Sequence, residues 1–374
     1  VNVSLITPVL LEGDAVSNDV LGEYRLLKQA GYDVRLFADE CHTALPCGPI
    51  DAAGECLGPE DLCIYHHSMG CTPAVHLLRH LPCRRLVRYH NVTPARYYAD
   101  ALKTKLECNK GVWQLRELVD MGCAFLATSK YTARDLTAIR PDAKYRIVPP
   151  YNQIDDLLRT VPDYLSALPF NDAKYTILSV GRLVPNKNLV NAVKGFALFH
   201  ASVHGRARFV LAGDPGDGRY SREVTTAAQR LGISDDVVFT GKIGRRQLRA
   251  LYLVADTLLL VSEHEGFGVP LVEAMALRVP CVASSTTALP ETGDDAALYV
   301  DPTEVEAIGC ALAKATCDGD LRETLTVRGR ERYESFYCNS RIDWAVLDAI
   351  TGVPASVIPS ATDASATPFL GSKP

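Results

Sequence analysis

Two glutamates, Glu265 and Glu273, stand with seven residues between them in the stretch SEHEGFGVPLVEA. Gly266 and Gly268 lie in that interval and let the backbone approach a ligand closely. Pro270 suits the first turn of a helix, where its missing N–H would have no partner anyway. Free N–H groups at a helix start attract phosphate, so residues Gly266, Phe267, Gly268 and Val269 form a candidate phosphate cradle. Glu273 falls about one turn into that helix, and helical side chains lean toward the N-terminus. The position suits a carboxylate that accepts from a ribose diol, while Glu265 on the loop faces a second set of hydroxyls. Carboxylates beside a phosphate require positive charge from elsewhere. The segment VGRLVPNKN supplies it: Gly181 closes the strand YTILSV, and Arg182 and Lys187 follow five residues apart. Arginine offers a planar fork for phosphate and lysine a compact point charge. A helix start, an arginine, a lysine and two hydroxyl-binding carboxylates fit a sugar nucleotide.

The elements that must position these residues are legible in the apolar pattern. Strand-like runs VNVSLITPV, VRLFA, DLCIYHH, RRLVRYH, CAFLATS and YRIVP alternate with helical stretches, beginning with VSNDVLGEYRLLKQAG. A segment with two prolines and weak periodicity, 151–173, reads as a linker. The alternation then restarts with YTILSVG, ARFVLAG, VVFTG, TLLLVS and PCVASS. Repeated βα alternation implies parallel sheets covered on both faces. The predicted fold is α/β: two Rossmann-like, doubly wound domains facing across a cleft, with 1–165 as the first, 166–351 as the second and 352–374 as a disordered tail rich in Pro, Ser, Ala and Thr. The last helix of the second unit is a candidate to pack back on the first. Ligands of such sheets bind beyond the carboxyl ends of the strands, so the cleft is the expected site.

Composition narrows the classes. The chain has 374 residues, 22% of them charged, and a net charge of −5, which argues against nucleic-acid binding. Charge is uneven: residues 1–78 hold three basic and eleven acidic side chains, residues 79–146 fourteen basic and six acidic. The basic stretch reads as an ordinary solvated face or as a surface for anionic lipid head groups or a phosphorylated acceptor. Twelve cysteines form no CxxC and match no zinc spacing, which points to free, mostly buried thiols and a cytoplasmic protein. No apolar run suffices for a membrane span or a signal peptide. GDPGDG at 213–218 departs from the dinucleotide fingerprint, since Ser221 takes the third glycine's place. Gly213 remains a candidate for backbone beside phosphate.

The series VGR-x4-KN, FTG, S-x2-EGFG-x4-EA, P-x-VAS and LPE resembles the retaining glycosyltransferases of the GT-B superfamily, family 4, over most of residues 174–302. The resemblance implies that the second domain holds a nucleoside-diphosphate sugar, GDP- or UDP-linked. It assigns Glu265 to the donor sugar, Glu273 to the ribose, Arg182 and Lys187 to the diphosphate, and Lys242 and Ile243 to the base. One departure is Arg278, where many relatives carry glycine. The first half is looser: Gly13, Ser17 and Asn18 in EGDAVSND resemble the loop that meets donor phosphate and acceptor, and His90 resembles the family's active-site histidine. His66 and His67 occupy equivalent strand ends.

The implied reaction is transfer of a mannosyl or glucosyl unit to a hydroxyl of a glycan or polyprenyl-diphosphate-linked acceptor, with the anomeric configuration retained, as in bacterial polysaccharide assembly. Arg182, Lys187 and the helix start stabilise the leaving diphosphate, Glu265 orients the sugar, and His90 positions acceptor or sugar. No metal or cofactor is expected. The location expected is the cytoplasm, with peripheral contact at the inner membrane face through 79–146. The competing readings are a glycoside hydrolase, which leaves Arg182 and Lys187 without a role, a nucleotide-sugar-binding protein without turnover, and a sugar-phosphate synthase or phosphorylase on the same fold.

Overall fold

A computed structural model describes residues 1–351 except Glu12, 99–100, 168–174 and Asp217. The tail 352–374 and the later part of the expected linker lie outside the described residues. Seven strands build the first sheet: β1 Asn2–Leu11, β2 Asp33–His42, β3 Cys47–Gly48, β4 Leu62–His67, β5 Arg84–Tyr89, β6 Ala124–Ala127 and β7 Tyr145–Ile147. Six build the second: β8 Tyr175–Val180, β9 Ala207–Ala212, β10 Val237–Gly241, β11 Thr257–Leu260, β12 Cys281–Ser284 and β13 Leu298–Val300. The spatial orders are β3-β2-β1-β4-β5-β6-β7 and β10-β9-β8-β11-β12-β13. Every pairing is parallel.

Strand order reverses between β1 and β4 and again between β8 and β11. Crevices open at such switch points beyond the carboxyl ends of the strands. The ends of β1, β4, β8 and β11, the neighbouring ends of β5, β9 and β10, and the helices that follow β1 and β11 carry the residues singled out above.

Each sheet is covered on both faces by apolar side chains. Ile6, Tyr65, Val87 and Phe125 pack on one face of the first sheet, and Leu5, Ile64, Leu86 and Leu126 on the other. Such two-sided burial explains why β4, LCIYHH, is buried at every position. The second sheet divides likewise, with Leu178, Val210 and Leu258 on one face and Ile177, Phe209 and Leu259 on the other.

The chain then returns. Helix Asn339–Thr351 places Ile342, Val346, Ala349 and Ile350 in the same cluster as Val3 and Leu5 of the first sheet. Arg84 donates to the carbonyls of Ala349 and Ile350, and Tyr151 hydrogen-bonds to Asp343. All twelve cysteines are free; six are buried, three half-buried and three exposed, so burial holds for half of them. Among the described residues no helix is long and apolar enough to cross a membrane.

Candidate functional site

On the second domain, the loops leaving β8 and β11 are stitched together. Glu263 N–H donates to the Asn186 carbonyl (2.8 Å), and Asn186 Nδ2 donates to the His264 carbonyl (3.0 Å). This fixes Lys187 Nζ 2.5 Å from Glu265 Oε1, and Ser262 Oγ donates to the same oxygen at 2.8 Å. Gly181 has φ 141°, and a Cβ there would sit 3.6 Å from Lys187 Cε, so strand end and lysine stem are in contact. Arg182 is exposed and its guanidinium has no partner among the described residues. It lies at the Gly181–Lys187 strand end and also borders a cavity of about 390 Å³ lined by Tyr97, Tyr98, Pro185 and Tyr220.

Helix Val269–Ala276 begins at Gly268, whose φ of 95° makes it the left-handed cap, with Pro270 in its first turn. The N–H groups of Gly266, Phe267, Gly268 and Val269 have no acceptor among the described residues. The Phe267 side chain is in the core, edge-on to Tyr337 with ring centroids 5.4 Å apart, so only its backbone is available to a ligand. Glu273 is half-buried and accepts from Tyr252 Oη at 2.6 Å. Burial pushes its carboxyl up to about 7, against the opposing pull of the tyrosine hydroxyl. Lys242 is exposed and Ile243 half-buried beyond β10. Gly213 takes a different part from the one expected. Its N–H donates to the Gly241 carbonyl, and a Cβ there would lie 1.9 Å from the Gly181 carbonyl oxygen. Its glycine lets the ends of β8 and β9 meet.

On the first domain the expected residues divide. Gly13 is exposed with φ 84°. Ser17 is buried: Oγ accepts the Leu11 N–H (2.9 Å) and donates to Asp14 (3.2 Å), so this hydroxyl shapes the loop. Asn18 Oδ1 accepts from Gln153 at 2.6 Å. His67 is excluded from the cleft. It is fully buried, bonded to the Gly111 carbonyl (2.9 Å) and to Tyr65 Oη (3.2 Å), and burial lowers it to about 4.

His90 directly follows β5 and its side chain is 7% exposed. Its Nε2 lies 3.0 Å from His66 Nδ1 and 3.5 Å from Asp19 Oδ2. Burial lowers His90 to about 3, with Asp19 pulling the other way. Asp19, His66 and His90 could together offer ligand atoms to a metal, but a cation is already present. Arg88 Nε donates to Asp19 Oδ2 at 2.7 Å, and its Nη2 reaches Oδ1 at 3.3 Å.

The two halves meet at the glycine loop. Gly266 accepts at its carbonyl from Ser129 Oγ (2.9 Å) and Thr128 Oγ1 (3.3 Å). A Cβ on Gly266 would lie 2.6 Å from the His90 carbonyl oxygen, so only glycine permits this approach. His264 Nε2 lies 2.5 Å from Asn91 Oδ1. His90 and Glu265 thus belong to one neighbourhood, bridged by Gly266. Asp19, Arg88, Asn91, Ser262, Tyr252 and His264 were not picked out from the sequence. The available signal was the Asp19/Glu23 pair, four apart on one helix face otherwise turned to the core.

Chemically, the second domain presents two cations, the exposed Arg182 and the Glu265-bound Lys187, and N–H groups without an acceptor among the described residues, beside two carboxylates. That combination suits an anionic diphosphate flanked by hydroxyls.

Residues 162–332 match the family model described as glycosyl transferases group 1. The O-antigen chain mannosyltransferase B of Escherichia coli is 31% identical over 160 residues, which cover 42% of this chain and 41% of that protein. A GDP-mannose-dependent alpha-(1-6)-phosphatidylinositol monomannoside mannosyltransferase of Mycobacterium tuberculosis is 27% identical over 232 residues, 58% of each chain. The chain thus spans about two fifths to three fifths of the length of these relatives. In architecture it is similar to a sucrose-phosphate synthase from Thermosynechococcus elongatus, with TM-score 0.74, 18% identity, and coverage of 94% of this chain and 99% of the other.

Proposed function

From the premise that this chain belongs to the glycosyl transferases group 1 through residues 162–332, on a GT-B fold, we propose that it moves a mannosyl unit from GDP-mannose to a hydroxyl of a glycan or lipid-linked glycan, with retention of anomeric configuration. One observation carries the reading: Lys187 and Glu265 meet at 2.5 Å beside the exposed Arg182, whose guanidinium has no hydrogen-bond partner among the described residues. Mannosyl and GDP rest on the names of the two relatives above; a glucosyl unit or UDP is the alternative donor chemistry.

Lys187 and Glu265 neutralise each other while no donor is bound. An arriving diphosphate competes for Lys187 Nζ and joins Arg182 and the Gly266–Val269 N–H groups. Glu265 is then released to accept from the sugar's hydroxyls while Ser262 keeps its hold. Charge grows on the leaving phosphate as the glycosidic bond breaks, and these preorganised donors stabilise it there. The departing phosphate oxygen takes the acceptor hydroxyl's proton on the same face, which is the origin of retention. Glu273 accepts from the ribose diol, and the side chains at Ile243 and Lys242 border the base. His90 contacts the sugar or acceptor from the opposite domain. A hydrolase reading gains nothing here, because the carboxylate best placed for acid–base work is held by a lysine.

A thermal-shift panel with GDP, UDP, ADP and their sugars, on wild type and Arg182→Ala without added metal, tests this. Stabilisation of wild type by GDP-mannose, with most of the shift lost in Arg182→Ala, is the expected outcome. No shift with any nucleotide at millimolar concentration overturns the reading.

A further inference from the structure

His90 has only one face toward the cleft; behind it a line of buried groups runs into the first domain. His90 Nε2 meets His66 Nδ1 at 3.0 Å, and the two rings stack with centroids 5.3 Å apart. On its far side His66 Nε2 faces Glu23 Oε2 at 3.3 Å. Both His66 and Glu23 are fully buried. Neither oxygen of Glu23 completes a well-aligned hydrogen bond, nor does His66 Nε2. A buried carboxylate in that condition is costly unless it serves a purpose or has a charge beside it. Arg88 Nε, 3.4 Å from Glu23 Oε1, is that charge. Yet Arg88 already has Asp19 and the carbonyls of Val148 and Pro149 as hydrogen-bond partners. Asp19 is in turn completed by the Tyr151 N–H at 2.7 Å. Glu23 is therefore a second carboxylate that the arginine's own bonding does not require.

The contacts fix where the protons sit. Glu23 is an acceptor, so the nitrogen facing it, His66 Nε2, carries a hydrogen. With one ring proton, placed on Nε2, His66 is bare at Nδ1 and accepts from His90. Two acceptors, His66 Nδ1 and Asp19 Oδ2, converge on His90 Nε2, and a lone pair there would face a carboxylate at 3.5 Å. His90 accordingly holds its proton on Nε2, and its Nδ1, which has no partner among the described residues, is a lone pair.

We infer that Glu23 and His66 are positioning residues that hold His90 as the Nε2–H tautomer, so that its Nδ1 accepts a hydrogen bond from a hydroxyl of the sugar or acceptor in the cleft. A buried carboxylate fixing an imidazole's tautomer is an effective device because the wrong tautomer presents a donor where an acceptor is needed. Here the carboxylate acts through an intervening histidine. Burial supports the same state, since it keeps His90 neutral down to about pH 3. The neighbouring titratable groups are Asp19 and Glu23 from helix Ala15–Gln29, His66 from β4 and Arg88 from β5; His67 is committed to Gly111 and Tyr65. The role of Nδ1 rests on the transferase reading above; the tautomer does not.

Two-dimensional ¹H–¹⁵N correlation of the histidine side chains in the whole protein reads the tautomer directly, with His90→Gln and His66→Gln assigning the signals. The expected result is Nε2-protonated, neutral His90 and His66. Glu23→Gln lets the amide turn and donate to His66 Nε2, which reverses the line, so His90 shifts toward the Nδ1–H form. In a transfer assay Glu23→Gln and His66→Gln then lose roughly 10²-fold in kcat, with the donor KM changed less than threefold. A wild-type His90 protonated on Nδ1, or an imidazolium at His66, overturns the inference. So does a kcat of Glu23→Gln equal to wild type. If Glu23→Gln fails to fold, the wild-type spectrum and His66→Gln decide. The expected tautomers in a protein that transfers no sugar would count against the transferase reading alone.

Discussion

Under the proposed function, Glu273 couples recognition to pH. Its carboxyl sits at about 7 rather than the ordinary 4.5, because burial disfavours the charge more than Tyr252 favours it. The folded protein therefore keeps a proton between about pH 4.5 and about pH 7 that the unfolded chain has released. Stability from this group is complete below the unfolded value and falls as pH rises through the folded one. The loss is at most on the order of 3 kcal/mol, reduced by the solvent contact the side chain keeps. In the proposed function binding runs the other way, since the ionised carboxylate is the better acceptor for a ribose diol. Affinity for GDP-mannose, whose phosphates bind no proton in this range, should rise up to about tenfold from pH 6 to pH 8. Glu273→Gln should flatten both profiles. Calorimetric titration and thermal melts across that range check the pair; a variant that keeps the wild-type slope assigns the titration to another group.

At the scale of the element, the short helix Val269–Ala276 is defined at both ends by backbone geometry. Gly268 starts it in the left-handed region, and Arg278 ends it there with φ 59°. The Arg278 N–H donates to the Met275 carbonyl and the Val279 N–H to that of Ala274, which is the paired closure that glycine ordinarily provides. A side chain in this region costs about 1–2 kcal/mol, so the arginine that departs from the family pattern carries a strain the sequence alone could not display. Arg278→Gly should raise stability by about 0.5–1 kcal/mol after the unfolded state's gain in freedom, seen as a higher denaturation midpoint at unchanged slope. A lower midpoint contradicts this account. Elements of this kind were only partly legible. The long buried strands announced themselves by apolar runs, whereas two-residue β3 lies below the length at which a pattern forms. Helix Arg219–Arg230 starts at Gly218, whose φ of 76° is a backbone state that no apolar pattern announces. Likewise the sequence located the glycine loop but not the function of each glycine. Gly213 and Gly266 are dictated by backbones that approach from elsewhere in the chain.

The whole molecule explains why one half of the site was easier to read than the other. Arg182, Lys187, Glu265 and Glu273 come from two short segments at one switch point, so their spacing survives in the sequence. The group around His90 draws Asp19 and Glu23 from a helix, His66 and Arg88 from two strands, and only folding brings them together. The same applies to the contacts that close the domains on each other. Glu291, after β12, reaches across and accepts the N–H groups of Lys130 (2.7 Å) and Tyr131 (3.0 Å) at the start of helix Lys130–Ile139. The carboxylate meets the positive end of that helix and satisfies two of its orphan donors. Arg332 in turn holds the Glu291 carbonyl at 2.6 Å, which anchors the reaching residue to its own domain. With Ser129 on the Gly266 carbonyl and Asn91 on His264, this clamp sets the distance between His90 and the glycine loop. Removing it leaves each core intact but weakens the closed arrangement by about 1–2 kcal/mol. Glu291→Ala should therefore show a larger radius of gyration by small-angle scattering, and a donor affinity lowered about 5–30-fold, while its melting temperature stays close to wild type. Saturating GDP-mannose should restore the smaller radius, because ligand bound across the cleft supplies the closure that the carboxylate no longer does. Scattering and affinity both equal to wild type would place the closure in the Gly266 and Asn91 contacts alone.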